Sequence, residues 1–500
     1  MTADRPLLIA TLPGRTIDEL SAQLGVALRA GADVAEVRLD RLDASERPRL
    51  SRLFPAALPL LATLRSRKEG GEGPDDPRER ESQLAEAAQL PFLWIDLEEG
   101  RDRALADRLA SSGHSIEILS THLRGETTAV ELVGRARAPL ENGAVRKLVV
   151  PASVSALLGE ILPALRAAAL GSVVVLSTGA SGPLLRAWAM RLGYPFVFAS
   201  LPVERSPSAA SAVEPSQIPV DRLRFFFDGG GKSPLFALLG HPVAHSQSPY
   251  LHSRWMRSAG ERGLYVALDI GSEAEFVESL APLASMGFRG ANVTHPWKSA
   301  ALASATRVGR GAELCGTANC LSLDGDDVTA ENTDLVAMLR RLEELRADRT
   351  WDGSELAVVG AGGAAAATLA AAREVGARAF VLARSPERAT GLADRFGAAL
   401  LSEPRPFSLV VHATDVGRSG SGPLRLPLAR LLAPGGRTLD WVYSPDDPAV
   451  RSVAENAGAT YEDGWRLLAY QAAASFGLWW GTEPAAEELE RTIAEGPCAA

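Results

Sequence analysis

Within the 500-residue chain, one lysine sits where a strand should be apolar: Lys147, in Val145–Pro151 (V-R-K-L-V-V-P). Burial disfavours a charged amine, so a lysine held there has a lowered pKa and becomes a nucleophile toward carbonyl carbon. The competing reading is a lysine that snorkels to solvent. His122 ends a second apolar run, S-I-E-I-L-S-T-H, where an imidazole either exchanges protons or fills the rim. Glu36 and Arg38 end V-A-E-V-R, Arg65 and Glu69 lie in L-R-S-R-K-E-G-G, and Asp96 lies in I-D-L-E. Each could be an ordinary rim ion pair, but together they bring a nucleophile, an acid/base and anion-binding groups to strand ends.

A second set lies further on. Ser246 and Ser248 in H-S-Q-S-P are two residues apart, so an extended loop would turn both hydroxyls to one side, suited to a carboxylate. A plain Ser/Pro turn is the alternative. Asn292, Thr294 and Lys298 share G-A-N-V-T-H-P-W-K, Asn319 lies in G-T-A-N-C, and Asn332 and Asp334 lie in E-N-T-D. Gly360, Ala361, Gly362, Gly363 and Ala364 form a glycine-rich turn between an apolar run and an Ala-rich helix, a setting whose amides can take a pyrophosphate. At the end of the next apolar run, Arg384 and Arg388 stand where an acidic residue would hold the ribose of NAD. A basic pair there favours the 2′-phosphate of NADP.

The elements that must position these residues alternate. In the first 225 residues, eight short apolar runs (Leu7–Leu12, Val34–Asp40, Leu58–Arg65, Phe92–Glu98, Ser115–His122, Val145–Pro151, Ser172–Thr178 and Tyr194–Ser200) are separated by stretches of helical character. That predicts an α/β fold opening with a (β/α)8 barrel, whose chemistry gathers at the C-terminal strand ends. Phe225–Pro234 (F-F-F-D-G-G-G-K-S-P) reads as a flexible joint. After it the alternation restarts in two parts, with a helix over Asp334–Ala347 between them.

The first segment resembles type I 3-dehydroquinate dehydratase. The matching pieces are E-x-R at Glu36 and Arg38, L-R-S-x-K-E-G-G at Arg65 and Glu69, I-D-L-E at Asp96, S-T-H at His122, R-K-L-V-V-P at Lys147, Arg186 after the seventh run and P-S-Q-I at Gln217. The resemblance implies that Lys147 forms an imine with the substrate ketone and His122 moves the proton. It implies that Glu69 orients His122, Arg186 binds a carboxylate, and Arg38, Arg65, Glu36 and Gln217 hold the ring. The family's Asp after the histidine is Leu123 here, its Ser before the anion-binding arginine is Leu185, and a lid serine is Val213.

Residues 235–485 resemble shikimate dehydrogenase through S-x-S-P, N-V-T-x-P-x-K, N-T-D, G-A-G-G, D-W-V-Y-S-P (Asp440–Pro445) and G-x-x-x-L-x-x-Q (Gly464–Gln471). By that resemblance Lys298 and Asp334 flank the reacting hydroxyl, and Ser246, Ser248 and Tyr443 hold the carboxylate. Asn292, Thr294, Asn319 and Gln471 fix the ring hydroxyls. The Gly360–Ala364 turn, Arg384, Arg388, Thr414, Val442 and Gly464 bind NADP. Here the family's Asn before the first phosphate-binding arginine is Ala383, the Asn of its N-A-T motif is His412, and a Met facing the nicotinamide is Leu467.

The expected organisation is a barrel over 1–225, a linker over 226–234, a substrate domain over 235–335 and 465–490, and a Rossmann NADP domain over 336–464. The expected activity is dehydration of 3-dehydroquinate followed by NADPH-dependent reduction to shikimate. The alternatives are a quinate/shikimate dehydrogenase of quinate catabolism, an aldolase-type Schiff-base barrel joined to another reductase, and a metabolite-sensing pseudoenzyme. Acidic residues exceed basic ones, 61 against 52, which argues against nucleic acid and anionic membrane as partners. Three cysteines, Cys315, Cys320 and Cys498, form neither a disulfide framework nor a metal cluster, and the N-terminus does not read as a signal peptide. A cytoplasmic monomer or homodimer acting on small molecules, without a metal, is the expectation.

Overall fold

The computed structural model describes residues 5–111, 118–125, 127–140, 144–168, 171–202, 214, 216–418, 422–423, 425–443 and 448–497. The expectations that fall on Val213, Pro445, Cys498 and the start of the Ser115–His122 run lie outside the described residues.

Eight strands form the first sheet: β1 (Leu7–Leu12), β2 (Val34–Arg38), β3 (Leu60–Thr63), β4 (Trp94–Glu98), β5 (Ile118–His122), β6 (Val145–Pro151), β7 (Val173–Thr178) and β8 (Phe196–Ala199). β1 to β7 lie in sequence order, β8 pairs with β1, and every pairing is parallel, giving a nearly closed barrel. The strands read as continuous apolar runs because helices cover one face and the barrel interior the other. The predicted barrel is present, and among the described residues several strand ends fall one or two residues inside the apolar runs. The flanking helices start on capping residues. At Ile17–Ala30, Thr16 and Glu19 make a reciprocal capping box.

The helix Val220–Phe227 runs through the three phenylalanines and buries Phe226 and Phe227, so the aromatic part of the joint belongs to the barrel's outer layer. The glycines that follow are tied down: Arg191 donates to the carbonyls of Gly231 (2.6 Å) and Ser233 (3.2 Å). Across the joint, Trp188 Nε1 donates to Met286 O at 3.0 Å, and Glu275 accepts from the amides of Val154 and Ser155, just beyond β6.

The second sheet contains β9 (Leu235–Gly240), β10 (Leu264–Asp269), β11 (Phe288–Val293), β12 (Arg307–Val308), β13 (Cys320–Asp324) and β14 (Asp327–Glu331), in the order β10-β9-β11-β13-β14-β12. It is mixed, because β13 runs antiparallel to β11 and β14. The helix Thr333–Ala347, close to the span predicted, leads to a parallel third sheet. Its strands are β15 (Glu355–Val359), β16 (Arg378–Leu382), β17 (Ala399–Leu400), β18 (Phe407–His412), β19 (Leu432–Asp440) and β20 (Thr460–Glu462), in the order β17-β16-β15-β18-β19-β20. Strand order reverses beside β15, so the crevice between β15 and β18 is the position where open α/β sheets take ligands. The helix Trp465–Trp480 then returns to the second sheet, where Trp479 stacks on Phe236 at 4.9 Å.

Candidate active sites

At the barrel mouth, β4, β5 and β6 place Asp96, Ser120 and Lys147 side by side. Lys147 Nζ donates to Asp96, the Ser120 hydroxyl donates to the same carboxylate, and Phe198 lies 4.5 Å below the ammonium. Arg65 donates to both Asp96 oxygens at 3.0 Å, to Ser120 at 2.9 Å and to Glu69 at 2.8 Å. Glu69 in turn meets His122 Nδ1 at 2.9 Å. The loop carrying Glu69 can fold back on Arg65 because of its glycines: a Cβ at Gly71 would lie 2.3 Å from Arg65 O.

The electrostatics follow from burial. Burial pushes the Lys147 amine down, partly offset by Asp96. Burial opposes ionisation of Asp96, but Arg65 and Lys147 outweigh it and hold the carboxyl below its ordinary value. His122 is held well below its ordinary value by burial, then by Arg65 and Lys147. Burial raises the Glu69 carboxyl, against the pull of Arg65. An ionised Glu69 accepts from Nδ1–H and leaves Nε2 of a neutral imidazole free to take a proton.

The remaining predicted barrel residues form a second and a third group. Glu36 is buried and accepts from Thr11 (2.7 Å) and Thr63 (2.8 Å), while Gln217 Nε2 donates to Thr11 at 3.1 Å. Arg38 pairs with Asp40 at 2.7 Å and also acts on the charge of His122. Arg186 lies apart from these. Its Nη1 donates to the carbonyls of Ser177 and Gly182, and its Nε is buried without a partner. Burial lowers its pKa to about 10. Leu185, where the family has Ser, is fully buried, and Leu123 is half-buried against the barrel core. Sequence reasoning missed Ser120, which alternates with His122 on one strand; that period of two is the signal that could have found it.

In the second half, β11 leads into the helix Lys298–Ala303, so Lys298 starts a helix. Its Nζ donates to Asp334 Oδ2 at 2.5 Å, and Asn319 Nδ2 donates to Asp334 Oδ1 at 2.8 Å. Asn319 Oδ1 accepts the amide of Thr333 at 2.7 Å, and Gln471 Oε1 lies 3.4 Å from Asn319. Asn292 accepts from Tyr265 OH (2.9 Å) and donates to Ser475 (2.8 Å), two partners that sequence reasoning missed. Ser475 lies four residues after Gln471, on the same helix face. Thr294 is half-buried, its methyl against Gly240.

The serine pair needs a correction. The loop is not extended there: Gln247 is helical (φ −84°, ψ −5°) and Ser248 opens the helix Ser248–Ala259. Proline at the second position favours that helix start. The Ser248 amide therefore donates to Ser246 Oγ at 3.2 Å, and Tyr443 OH reaches the Gln247 amide at 3.4 Å.

The glycine-rich turn follows β15. Gly360 has φ +132°, and a Cβ there would lie 2.4 Å from Ala413 O, so only glycine fits. Gly362 caps the helix Gly363–Glu374 without a side-chain hydrogen bond, which leaves the first-turn amides for a ligand. Arg384, just past β16, and Arg388, in the first turn of the helix Pro386–Phe396, are exposed, and neither guanidinium has a partner among the described residues. These features fit a dinucleotide with an extra phosphate. A Cβ on Gly363 would lie 3.1 Å from Lys298 Cδ, which puts the proton-transfer candidate against the turn. Val442 is buried, and Gly464 N donates to Val442 O at 3.0 Å. Leu467 is buried in the helix beyond, while Ala383 is half-buried. Among the described residues, no cluster of three or more His, Cys, Asp or Glu could hold a metal ion, and no helix is long and apolar enough to cross a membrane.

Fold and sites define a two-part α/β enzyme, a barrel with a buried lysine joined to a dinucleotide-dependent reductase. Residues 8–228 match the family model of type I 3-dehydroquinase, and residues 238–321 match that of the shikimate dehydrogenase substrate binding domain. Shikimate dehydrogenase (NADP(+)) of Acidiphilium cryptum is 37% identical over 274 residues, covering 53% of this chain and 97% of that protein. The Paracoccus denitrificans protein of that name is 36% identical over 272 residues, covering 52% and 96%. Among solved structures, shikimate 5-dehydrogenase of Thermus thermophilus in complex with shikimate is 34% identical, with a TM-score of 0.47, covering 52% of this chain and 98% of that one. The dehydroquinate dehydratase and shikimate dehydrogenase from S. pombe is 23% identical, with a TM-score of 0.43 and 99% coverage of both chains. The chain belongs to the shikimate dehydrogenase family, and its first half carries a type I 3-dehydroquinase domain.

Proposed function

We infer that the chain performs two consecutive shikimate-pathway steps: dehydration of 3-dehydroquinate to 3-dehydroshikimate, then NADPH-dependent reduction to shikimate. The observation that carries this is the presence of two complete catalytic sets on one chain: Lys147 with His122 at the barrel mouth, and Lys298 with Asp334 against the dinucleotide turn.

In the barrel, the lowered pKa lets neutral Lys147 attack the ketone carbon; water leaves and a protonated imine forms. The imine nitrogen accepts the electron pair released when His122 removes the neighbouring proton. His122 then returns a proton to the departing hydroxyl, which leaves as water, and hydrolysis of the imine frees Lys147. Glu69 keeps the His122 tautomer. Arg186, with an unpartnered buried Nε, is assigned to the substrate carboxylate. Glu36, Arg38, Arg65 and Gln217 are assigned to the ring and its substituents.

In the reductase, bound NADPH supplies the hydride. Lys298 gives a proton to the forming alkoxide oxygen while Asp334 holds its ammonium in place. Ser246, Ser248 and Tyr443 are assigned to the carboxylate, and Asn292, Thr294, Asn319 and Gln471 to the hydroxyls. Gly360–Ala364, Thr414, Val442 and Gly464 are assigned to the dinucleotide, and Arg384 and Arg388 to its 2′-phosphate.

The same reading divides the chain into a barrel over 1–225, a joint over 226–234, a substrate domain over 235–335 and 465–490, and a Rossmann domain over 336–464. A cytoplasmic location fits the low cysteine count, and the chain is assigned as a monomer or homodimer. The deciding experiment follows NADPH loss from 3-dehydroquinate in the full chain. Lys147→Ala should abolish the first step only, and Lys298→Ala the second only. A protein that turns over neither substrate, or that prefers quinate and NAD, would overturn this reading.

A further inference from the structure

At the crevice between β15 and β18 lies a chain of hydrogen bonds that neither catalytic set uses. Thr414 Oγ1 is 2.6 Å from His412 Nε2, and His412 Nδ1 is 2.8 Å from Asp440 Oδ1. His412 and Asp440 are fully buried on adjacent strands, in register with one another. Thr414 is half-buried, and its methyl would meet a Cβ on Gly360 at 3.3 Å, which sets it beside the dinucleotide turn.

The direction of each bond can be deduced from the donors. Asp440 accepts the Val442 amide at 3.0 Å on Oδ1 and the Tyr461 hydroxyl at 3.0 Å on Oδ2. Burial, and then Asp440 itself, push the Tyr461 phenol well up, so it keeps its proton and donates. A carboxylate that already receives two donors can only accept from His412, so Nδ1 carries the hydrogen. A neutral imidazole protonated at Nδ1 has a bare Nε2. With His412 neutral, the Thr414 hydroxyl donates inward, which leaves its oxygen as an acceptor toward the crevice, shared with the Val416 amide at 3.2 Å.

Resting on the assignment of the dinucleotide to the Gly360 turn, we propose that Asp440 and His412 are positioning residues that fix Thr414 as an acceptor for a donor group on the dinucleotide, a ribose hydroxyl or the carboxamide, and not as a donor to phosphate. Where the family pattern has Asn, His412 spans the gap between Asp440 and Thr414 with two nitrogens of opposite character.

The test uses the full chain and calorimetric titration with NADP+. Thr414→Val should weaken binding about 3- to 10-fold, the worth of one neutral hydrogen bond. Asp440→Asn can present an amide N–H to Nδ1 and drive the imidazole to the other tautomer, which reverses the Thr414 hydroxyl. It should weaken NADP+ to a similar degree, but cause no further loss in the Thr414→Val background. Additive losses, or an unchanged affinity in folded Asp440→Asn, would overturn the proposal. Nitrogen-15 shifts of His412, assigned with His412→Asn, give a readout independent of affinity. Nδ1 should be protonated and Nε2 bare in the parent protein, and the opposite result overturns the proposal.

Titration with adenosine 2′,5′-bisphosphate separates the two sources of the donor. A Thr414→Val loss with both probes assigns the donor to the adenosine ribose, and a loss with NADP+ alone assigns it to the nicotinamide half. If the parent protein fails to bind either probe, the dinucleotide assignment itself falls. If it binds both and Thr414→Val changes neither, only the relay falls.

Discussion

The two halves each use a lysine paired with a carboxylate, yet they place it differently. The Lys147 side chain is 5% exposed and sits among Asp96, Arg65 and Ser120, whereas that of Lys298 is 21% exposed, with Asp334 as its charged partner. Burial drives Lys147 toward its neutral form, which a nucleophile requires. Lys298 lies at a helix start against Gly363, where a proton donor can be replenished from solvent. In the proposed roles a carboxylate partner does not by itself distinguish the two lysines. The enclosure does: the closed charge network around Lys147 suits the proposed covalent chemistry, and the more open pair at Lys298 suits proton exchange.

The comparison breaks most sharply at Lys147. Lys147→Ala should reduce dehydratase turnover by about 10⁴-fold or more and abolish trapping of a substrate adduct by borohydride, with the reductase unaffected. An adduct that survives the substitution would place the nucleophile elsewhere. At the open site, Lys298→Ala should lower reductase kcat by about 10²- to 10⁴-fold, the range for one acid–base group. A fall confined to KM would make Lys298 a binding residue instead. Glu69→Gln tests the enclosed network. It should cost the dehydratase roughly 10²-fold in kcat by loosening the His122 tautomer. Because His122 is held well below 6.5, the parent's acid limb should lie below that pH. Arg384→Ala with Arg388→Ala should raise the KM for NADPH about 10- to 100-fold, from lost charge-assisted bonds, and leave that for NADH nearly unchanged. Equal effects on both cofactors would remove the 2′-phosphate assignment.

Much of this was legible because the chemistry is tied to strand ends. A lysine or histidine that interrupts an apolar run carries its own address, and eight such runs set the barrel. Local turn geometry was less legible. Ser246 and Ser248 read as an extended pair, but Pro249 drew Ser248 into a helix start. Partners from distant elements were legible only where the resemblance supplied them, as for Glu69 with His122 and Lys298 with Asp334. Asn292 meets Ser475 across 183 residues, and His412 meets Asp440 on a neighbouring strand. No local pattern announces pairings that only the assembled sheets bring together. The joint was half legible: its glycines read as a flexible joint, but they are anchored by Arg191, in the turn after the barrel helix Gly182–Trp188, which the joint's own sequence does not contain.

The smallest predicted effect sets a half-buried histidine against a buried one. His122 has Glu69 to accept its Nδ1–H hydrogen bond, whereas His252, 1% exposed and stacked on Tyr265 at 4.3 Å, has a buried Nε2 without a partner. Burial lowers His252 from 6.5 to about 3. Between those values the unfolded chain holds a proton there that the folded chain does not. His252 therefore contributes stability fully above pH 6.5, and that contribution is lost as pH falls toward about 3. His252→Phe keeps the stack and removes the titration. The reductase half, followed by tryptophan fluorescence in denaturant, should then lose less stability on acidification, with up to about one proton fewer taken up on unfolding across that window. An acid sensitivity unchanged by His252→Phe would mean that the half is destabilised in acid by its carboxylates instead, and that burial of His252 has no measurable weight there.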